Sequence, residues 1–191
     1  APYIGVTAAP WSGAVGVWRA VSDDGYILNR LLNEPMVIGM TETALAAAPA
    51  GHWDRGSPLR VRFDTGLLSS ATQLAVLSGA NLAAIGDGTP GNWEVFQFQQ
   101  ASLVSPKTYE LSLRLRGQAG TDGIMPDAWP AGSAVVLINS ALQQLDLALS
   151  DRGLSRFYRI GIAKAGSDAS GTVLRTEAFD CIGLRPYPVS H

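Results

Sequence analysis

YELSLRLR, residues 109–116, alternates apolar and polar side chains with a period of two. Successive side chains of an extended strand leave by opposite faces. The pattern therefore predicts Tyr109, Leu111, Leu113 and Leu115 against a core, with Glu110, Ser112, Arg114 and Arg116 in solvent. LRVRFD, residues 59–64, reads the same way: Leu59, Val61 and Phe63 inward, Arg60, Arg62 and Asp64 outward. In WEVFQFQ, residues 93–99, Phe96 and Phe98 oppose Trp93 and Val95, as expected of a central strand that is apolar on both faces.

Working outward, the same signals predict strands over 3–7, 14–21, 26–32, 35–40, 82–85, 134–139, 143–149 and 156–163, with shorter patterns at 172–178 and 181–185. Asp24-Gly25 marks a hairpin turn. Ser70 followed by Gln73 reads as a capping box for one short helix over 71–78, ended by Gly79. Strands this short and closely spaced, without alternating helices, predict a mainly β fold: an antiparallel sandwich or barrel-like domain with one to three short helices. That domain is expected to span 1–183, with a subdomain boundary near the irregular stretch 45–58 and a linker at 184–191. Gly117 and Gly120 are expected to serve a tight turn leaving the strand that ends near Arg116, with Gln118 or Thr121 bonding the backbone across it.

Composition narrows the function classes. Of 191 residues, 47% are hydrophobic and 16% charged, too apolar for disorder and poor in charge for a surface wholly in water, so neighbours are expected to cover part of it. Fourteen basic against sixteen acidic residues give a net charge of −2, and no basic block supports a nucleic-acid partner. The longest apolar run, residues 74–84, falls far short of the roughly 20 residues that cross a bilayer, so no membrane span is expected. The opening Ala1-Pro2, without an initiator Met or a leader pattern, suggests a piece of a longer polypeptide.

Catalytic patterns are sparse. Of two histidines, His191 is terminal, and His52 lies in GHWDRG, residues 51–56, where a loop tying up its own backbone is the simpler reading. There is no GxSxG elbow, CxxC, HExxH, DxDxDG loop or Walker lysine. Asp23-Asp24, Asp122 and Asp127 sit in turns, and the lone Cys181 reads as a small core residue. Five tryptophans, Trp11, Trp18, Trp53, Trp93 and Trp129, are expected to serve mostly in core and loop packing, with sugar stacking or anchoring at a partner surface as the other roles open to them. No catalytic, cofactor-binding or metal-binding residues are assigned, no cofactor is expected, and the chain is not expected to be an enzyme.

In order along the chain, APWSG (9–13), GHWD (51–54), LLSSATQLAVLSGAN (67–81), Gly86-Asp87, WEVFQF (93–98), YELSLRLRGQAGT (109–121) and WPAGSAVVL (129–137) resemble one family. It is the family of the large tail-tip or baseplate protein, also described as a phage tail or host-specificity protein, of phage-like gene transfer agents of alphaproteobacteria. The Leu-Arg-Gly-x-x-Gly-Thr element after a Tyr-x-Leu strand is the most specific part. Ser12 departs from the pattern, where Pro is expected. The resemblance implies a structural virion component from the segment downstream of that family's TIM barrel, with residues 184–189 as an exit linker. Its implied partners are other tail proteins and copies of itself in a trimeric hub; its implied place is the tail of a particle assembled in the bacterial cytoplasm. The alternative is a carbohydrate-binding module that touches host surface polysaccharide.

Overall fold

The computed structural model describes residues 1–180; Cys181, the strand expected over 181–185 and the linker lie outside the described residues. In chain order the strands are Tyr3–Ile4 (β1), Val15–Ala20 (β2), Ile27–Leu32 (β3), Ile38–Thr41 (β4), Leu45–Ala46 (β5), Trp53–Asp54 (β6) and Leu59–Phe63 (β7). One helix, Gln73–Leu77 (α1), precedes Leu82–Gly86 (β8), Trp93–Ser105 (β9), Thr108–Gln118 (β10), Ala128–Trp129 (β11) and Ala134–Leu137 (β12). Gln143–Gln144 (β13), Arg156–Ile162 (β14) and Val173–Glu177 (β15) complete the set. With 42% of the described residues in strands and 8% in the helix and 3-10 turns, the fold is mainly β, as the period-two stretches predict.

The described residues fall into two compact units. One, Val37–Asn139, is a closed antiparallel barrel in which β10, β7, β4, β12, β8 and β9 follow one another and β9 pairs back onto β10. Closure depends on strand length. β9 runs for 13 residues, its first part paired to β8 through Leu82↔Gln97 to Gly86↔Trp93, while β10 lies along its other side from Ser105 to Val95. The core contains Leu59, Val61, Phe63, Ile85, Phe96, Phe98, Tyr109, Leu111 and Val135, all buried. Phe63 and Tyr109 meet edge to face at 6.2 Å, the arrangement that ring quadrupoles favour. Strand β7 alternates buried and exposed along its length, as LRVRFD requires.

The helix is shorter than its sequence pattern, and Ser70 does not cap it. The Thr72 hydroxyl accepts from the Ala75 N–H at 3.2 Å, while Ser70 Oγ accepts from the Ala101 N–H of β9 at 3.0 Å. A β9 backbone donor has claimed the hydroxyl, so the cap moves two residues on. Val76 is the buried residue; Leu74 and Leu77, which share the expected apolar face, are exposed. Gly79, with φ +102°, ends the helix as expected.

The second unit joins Ala1–Met36 to the described residues from Ser140 onward. Its antiparallel sheet has the order β15-β14-β2-β3, and β1 pairs separately with β13. Val15, Val17, Leu32, Leu145 and Tyr158 form its core. Only Gln143–Gln144 of the stretch expected over 143–149 is strand. Residues 45–58 lie inside the barrel unit, not at its limit, because β5 pairs with β11 and β6 with β10. The chain passes from one unit to the other instead at 36/37 and 139/140.

Gly117 falls within β10 at φ +60° and Gly120 follows at φ +73°. Thr121 Oγ1 donates to the Gln118 carbonyl at 2.7 Å and accepts from the Val95 N–H at 2.9 Å, and the Gln118 side chain bonds the Arg116 carbonyl. A Cβ on Gly117 would meet Asp122 Cα at 2.9 Å. Gly120→Ala should therefore cost about 1–2 kcal/mol of left-handed backbone strain, and Gly117→Ala more, because it adds that backbone clash. Urea unfolding of the two variants checks the ranking; an unchanged Gly117→Ala midpoint contradicts it.

Candidate functional site

The largest fully buried side chains are two that the strand pattern sends to solvent. Arg114 and Arg116 are 1% and 0% exposed. Regular alternation would put them opposite Tyr109 and Leu111, but Leu113 has φ +52° and is only half-buried. Burial steps from Leu111 to Arg114 across it, and from Arg114 to Gly117 both faces of β10 are covered. The solvated-face reading holds for Arg60 and Arg62, which are exposed, and fails for this second pair.

The guanidinium of Arg116 forms a fork on Glu94, Nε to Oε1 at 2.7 Å and Nη2 to Oε2 at 2.8 Å, with both residues fully buried. Trp129 Nε1 donates to Glu94 Oε2 at 2.7 Å and the Gly117 N–H to Oε1 at 3.1 Å. Nη1 of Arg116 donates to the Ala46 carbonyl at 2.6 Å and reaches Asp54 Oδ2 at 3.5 Å. Arg114 grips the same Asp54 oxygen through Nε and Nη2, at 2.9 and 2.8 Å, and donates Nη1 to the Leu111 carbonyl at 2.7 Å. Two cations and two carboxylates thus close a neutral cluster that joins β5, β6, β9, β10 and β11. Burial opposes the charge of Asp54, but the Gly56 N–H, Arg114 and Arg116 outweigh it and hold the carboxyl below its ordinary range. The available sequence signal was Glu94: a carboxylate inside a strand apolar on both faces requires a buried cation.

The other sequence candidates stay apart. His52 is exposed, its Nδ1 within 3.2 Å of the Ala50 carbonyl, in a loop bonded to itself. Asp23 accepts from the Tyr26 hydroxyl and from Arg159, whose guanidinium stands 4.5 Å from the Tyr26 ring centroid. Asp122 opens a single 3-10 turn, and the Asp127 carbonyl accepts from the Ala47 N–H. Trp18 and Trp129 are buried, and Trp11, Trp53 and Trp93 half-buried, so no ring stands free as a stacking platform. Among the described residues no group of three His, Cys, Asp or Glu side chains is placed to hold a metal ion.

What the surface does offer is exposed apolar side chains: Leu67, Leu74 and Leu77 beside α1, Leu103 and Val104 near the end of β9, Ile27, Leu28 and Leu31 on β3, Val173 and Leu174 on β15. Isolated exposed leucines are ordinary, but runs of them on single elements suit contact with other polypeptides better than they suit chemistry.

Residues 36–136 match the family described as Rcc01698-like, C-terminal. The chain belongs to that family. No curated protein matches the chain. The matched segment starts one residue before the barrel unit, Val37–Asn139, and ends inside its last strand, β12, so the Rcc01698-like module and the barrel coincide. Every residue of the ion cluster, from Ala46 to Trp129, lies within that module.

Arg116→Met leaves Glu94 charged and buried without its cation and should cost about 3–5 kcal/mol. Adding Glu94→Gln removes that charge and should restore part of the loss, a sign that denaturant unfolding of the single and double variants reads directly. A double variant less stable than Arg116→Met alone contradicts the assignment.

Because the Asp54 carboxyl is depressed in the folded state, its contribution is complete above its unfolded value, near 3.8, and is lost as pH falls from there through the folded value. Asp54→Asn should therefore flatten the fall of stability in acid, as seen in unfolding midpoints followed below about pH 4. Parallel profiles for wild type and variant would contradict this.

Proposed function

We propose that this chain is a structural and interaction module of the tail tip of a phage-like gene transfer agent, presenting surfaces to neighbouring tail proteins and to copies of itself in a trimeric hub. The observation that carries the reading is membership of the Rcc01698-like, C-terminal family, Rcc01698 being a protein of the Rhodobacter gene transfer agent region. The order of motifs from residues 9–13 to 129–137 supports it over more of the chain than the family match alone. In this reading the module acts in the tail of the particle, during assembly and host attachment.

The electrostatics support a non-catalytic role. A general acid working near neutral pH needs a carboxyl raised towards 7. Asp23, Asp54, Asp87 and Asp151 are shifted the other way: by the Tyr26 hydroxyl and Arg159 at Asp23, by Thr89 and Asn92 at Asp87, by Arg156 and Arg19 at Asp151, and by the cluster at Asp54. These acids are committed to holding loops and arginines. The carbohydrate-binding alternative needs an exposed aromatic platform, and among the described residues Tyr3 is the one aromatic side chain that is largely exposed, a single ring and no platform.

The tip 86–91 between β8 and β9 is a suitable reporter, with residues 87–91 exposed. Particles assembled with an epitope inserted there should carry antibody label at the distal tail end in electron micrographs. Label on the capsid, or on no part of the particle, would refute the placement, and turnover of peptidoglycan fragments lost on changing a single Asp or Glu would overturn the non-catalytic role.

A further inference from the structure

The two edges of the sheet β15-β14-β2-β3 are built differently. On β3 the register slips between Val17↔Arg30 and Trp18↔Leu28, leaving Asn29 as an extra residue. Asn29 Nδ2 donates to the Asp146 carbonyl at 2.8 Å, its Oδ1 accepts from the Asp146 N–H at 3.0 Å, and Arg30 Nε donates to the Gln144 carbonyl. A bulge whose side chains are tied to a neighbouring segment is a standard way to blunt a sheet edge.

The β15 edge has none of this. Its five residues pair with β14 in unbroken register, Val173↔Ile160 to Glu177↔Arg156. Among the described residues they make no backbone bond on the other side. The strand TVLRTEA, residues 172–178, contains no Pro, Gly or Lys, and Val173 and Leu174 are 52% and 48% exposed. Among the described residues Arg175 and Glu177 form no ion pair. Such an edge is a template for another strand.

We propose that the free edge of β15 pairs with the same edge of a second copy of this chain, antiparallel about a two-fold axis through Thr176. The occupant follows from charge complementarity. In that register Arg175 stands opposite Glu177 of the partner subunit, and the two-fold axis makes the same pair again in reverse. Thr176 opposes Thr176 of the partner subunit, and Leu174 opposes Ala178 of the partner subunit. Opposite charges, paired threonines and apolar pairs are the cross-strand contacts that stabilise antiparallel ladders. Centring the axis on Arg175 instead sets arginine against arginine and Val173 against a glutamate, so side-chain chemistry selects the first register. A two-fold contact is self-complementary and closes on itself, joining two sheets without leaving an edge for open-ended growth. One pair of five-residue strands buries less than the roughly 1,200 Å² of a stable interface, so the association is weak and concentration-dependent.

Sedimentation velocity of the full chain, from about 10 µM to about 1 mM, the range in which interfaces this small associate, tests the proposal. Wild type should pass from monomer to dimer. Arg175→Glu alone and Glu177→Arg alone each replace two attractive pairs by two repulsive ones and should weaken the dimer about tenfold or more. Arg175 is exposed and Glu177 half-buried opposite Arg156 of β14, so thermal midpoints are measured for both variants, and unchanged values will show that the fold is intact. An equimolar mixture of the two variants restores both pairs and should dimerise as a one-to-one species. A wild type that stays monomeric, charge reversals without effect, a mixture that does not associate, or species larger than dimers would each overturn the proposal. It does not rest on the tail-tip reading: a two-fold contact cannot be satisfied among three copies, so it would join chains of separate hubs, and its failure leaves that reading untouched.

Discussion

Glu94 has no contact with water, so its charge must be answered inside the protein, and the barrel is arranged around that requirement. Its two oxygens take four donors: two from Arg116, one from Trp129 and one from the backbone of Gly117. Arg116 is thereby fixed beside Asp54, and Asp54 in turn fixes Arg114. Buried ion pairs add little net stability over well-packed apolar groups, but a half-satisfied one is expensive, so the cluster acts as an all-or-none condition on where its members sit. That matters most for β5, β6 and β11. Each has only two residues, too few for ladder hydrogen bonds to hold position, and each contributes a cluster member: the Ala46 carbonyl, Asp54 and Trp129.

The contrast between β7 and β10 shows how far the sequence carried the fold. LRVRF and LRLR share one local pattern, and period-two reading is right for the first and wrong for the second. The difference lies in what covers each strand. Arg60 stands at the surface and meets Glu110 there, while segments 60 and 70 residues away in sequence close over Arg114 and Arg116. Local alternation holds no information about that cover, nor about the left-handed turn of Leu113. The helix cap shows the same limit on a smaller scale, since Ser70 is a good capping residue whose hydroxyl is engaged by β9.

Composition also could not reveal a unit made of two separated stretches. The sheet unit takes its strands from residues before 37 and after 139, and the barrel is inserted between them. Within the barrel, β7, β8 and the first half of β9 were legible because their buried residues come from the same short window as their pattern. The ion cluster was not, because its parts come from five strands, although Glu94 within WEVFQF was a visible anomaly. The functional reading came from motif order and not from any catalytic pattern.

Closure also decides where this chain can be extended by another strand. In the barrel, β4, β7, β8 and β12 each have a partner on both sides, which removes their edges. The end of β9 is an exception, since Ser102 to Ser105 pair with β10 alone and Leu103 and Val104 are exposed. That arm carries its own protection: Val104 is an extra residue at a register shift, and Pro106 and Lys107 follow at once. Bulge, proline and lysine are three of the devices that keep strand edges from pairing. On β3 a bulge and bonds from a neighbouring segment do the same work. A strand-addition partner is therefore directed to β15, the edge on which the sequence places none of these devices and which, among the described residues, leaves an arginine and a glutamate two residues apart without ion-pair partners.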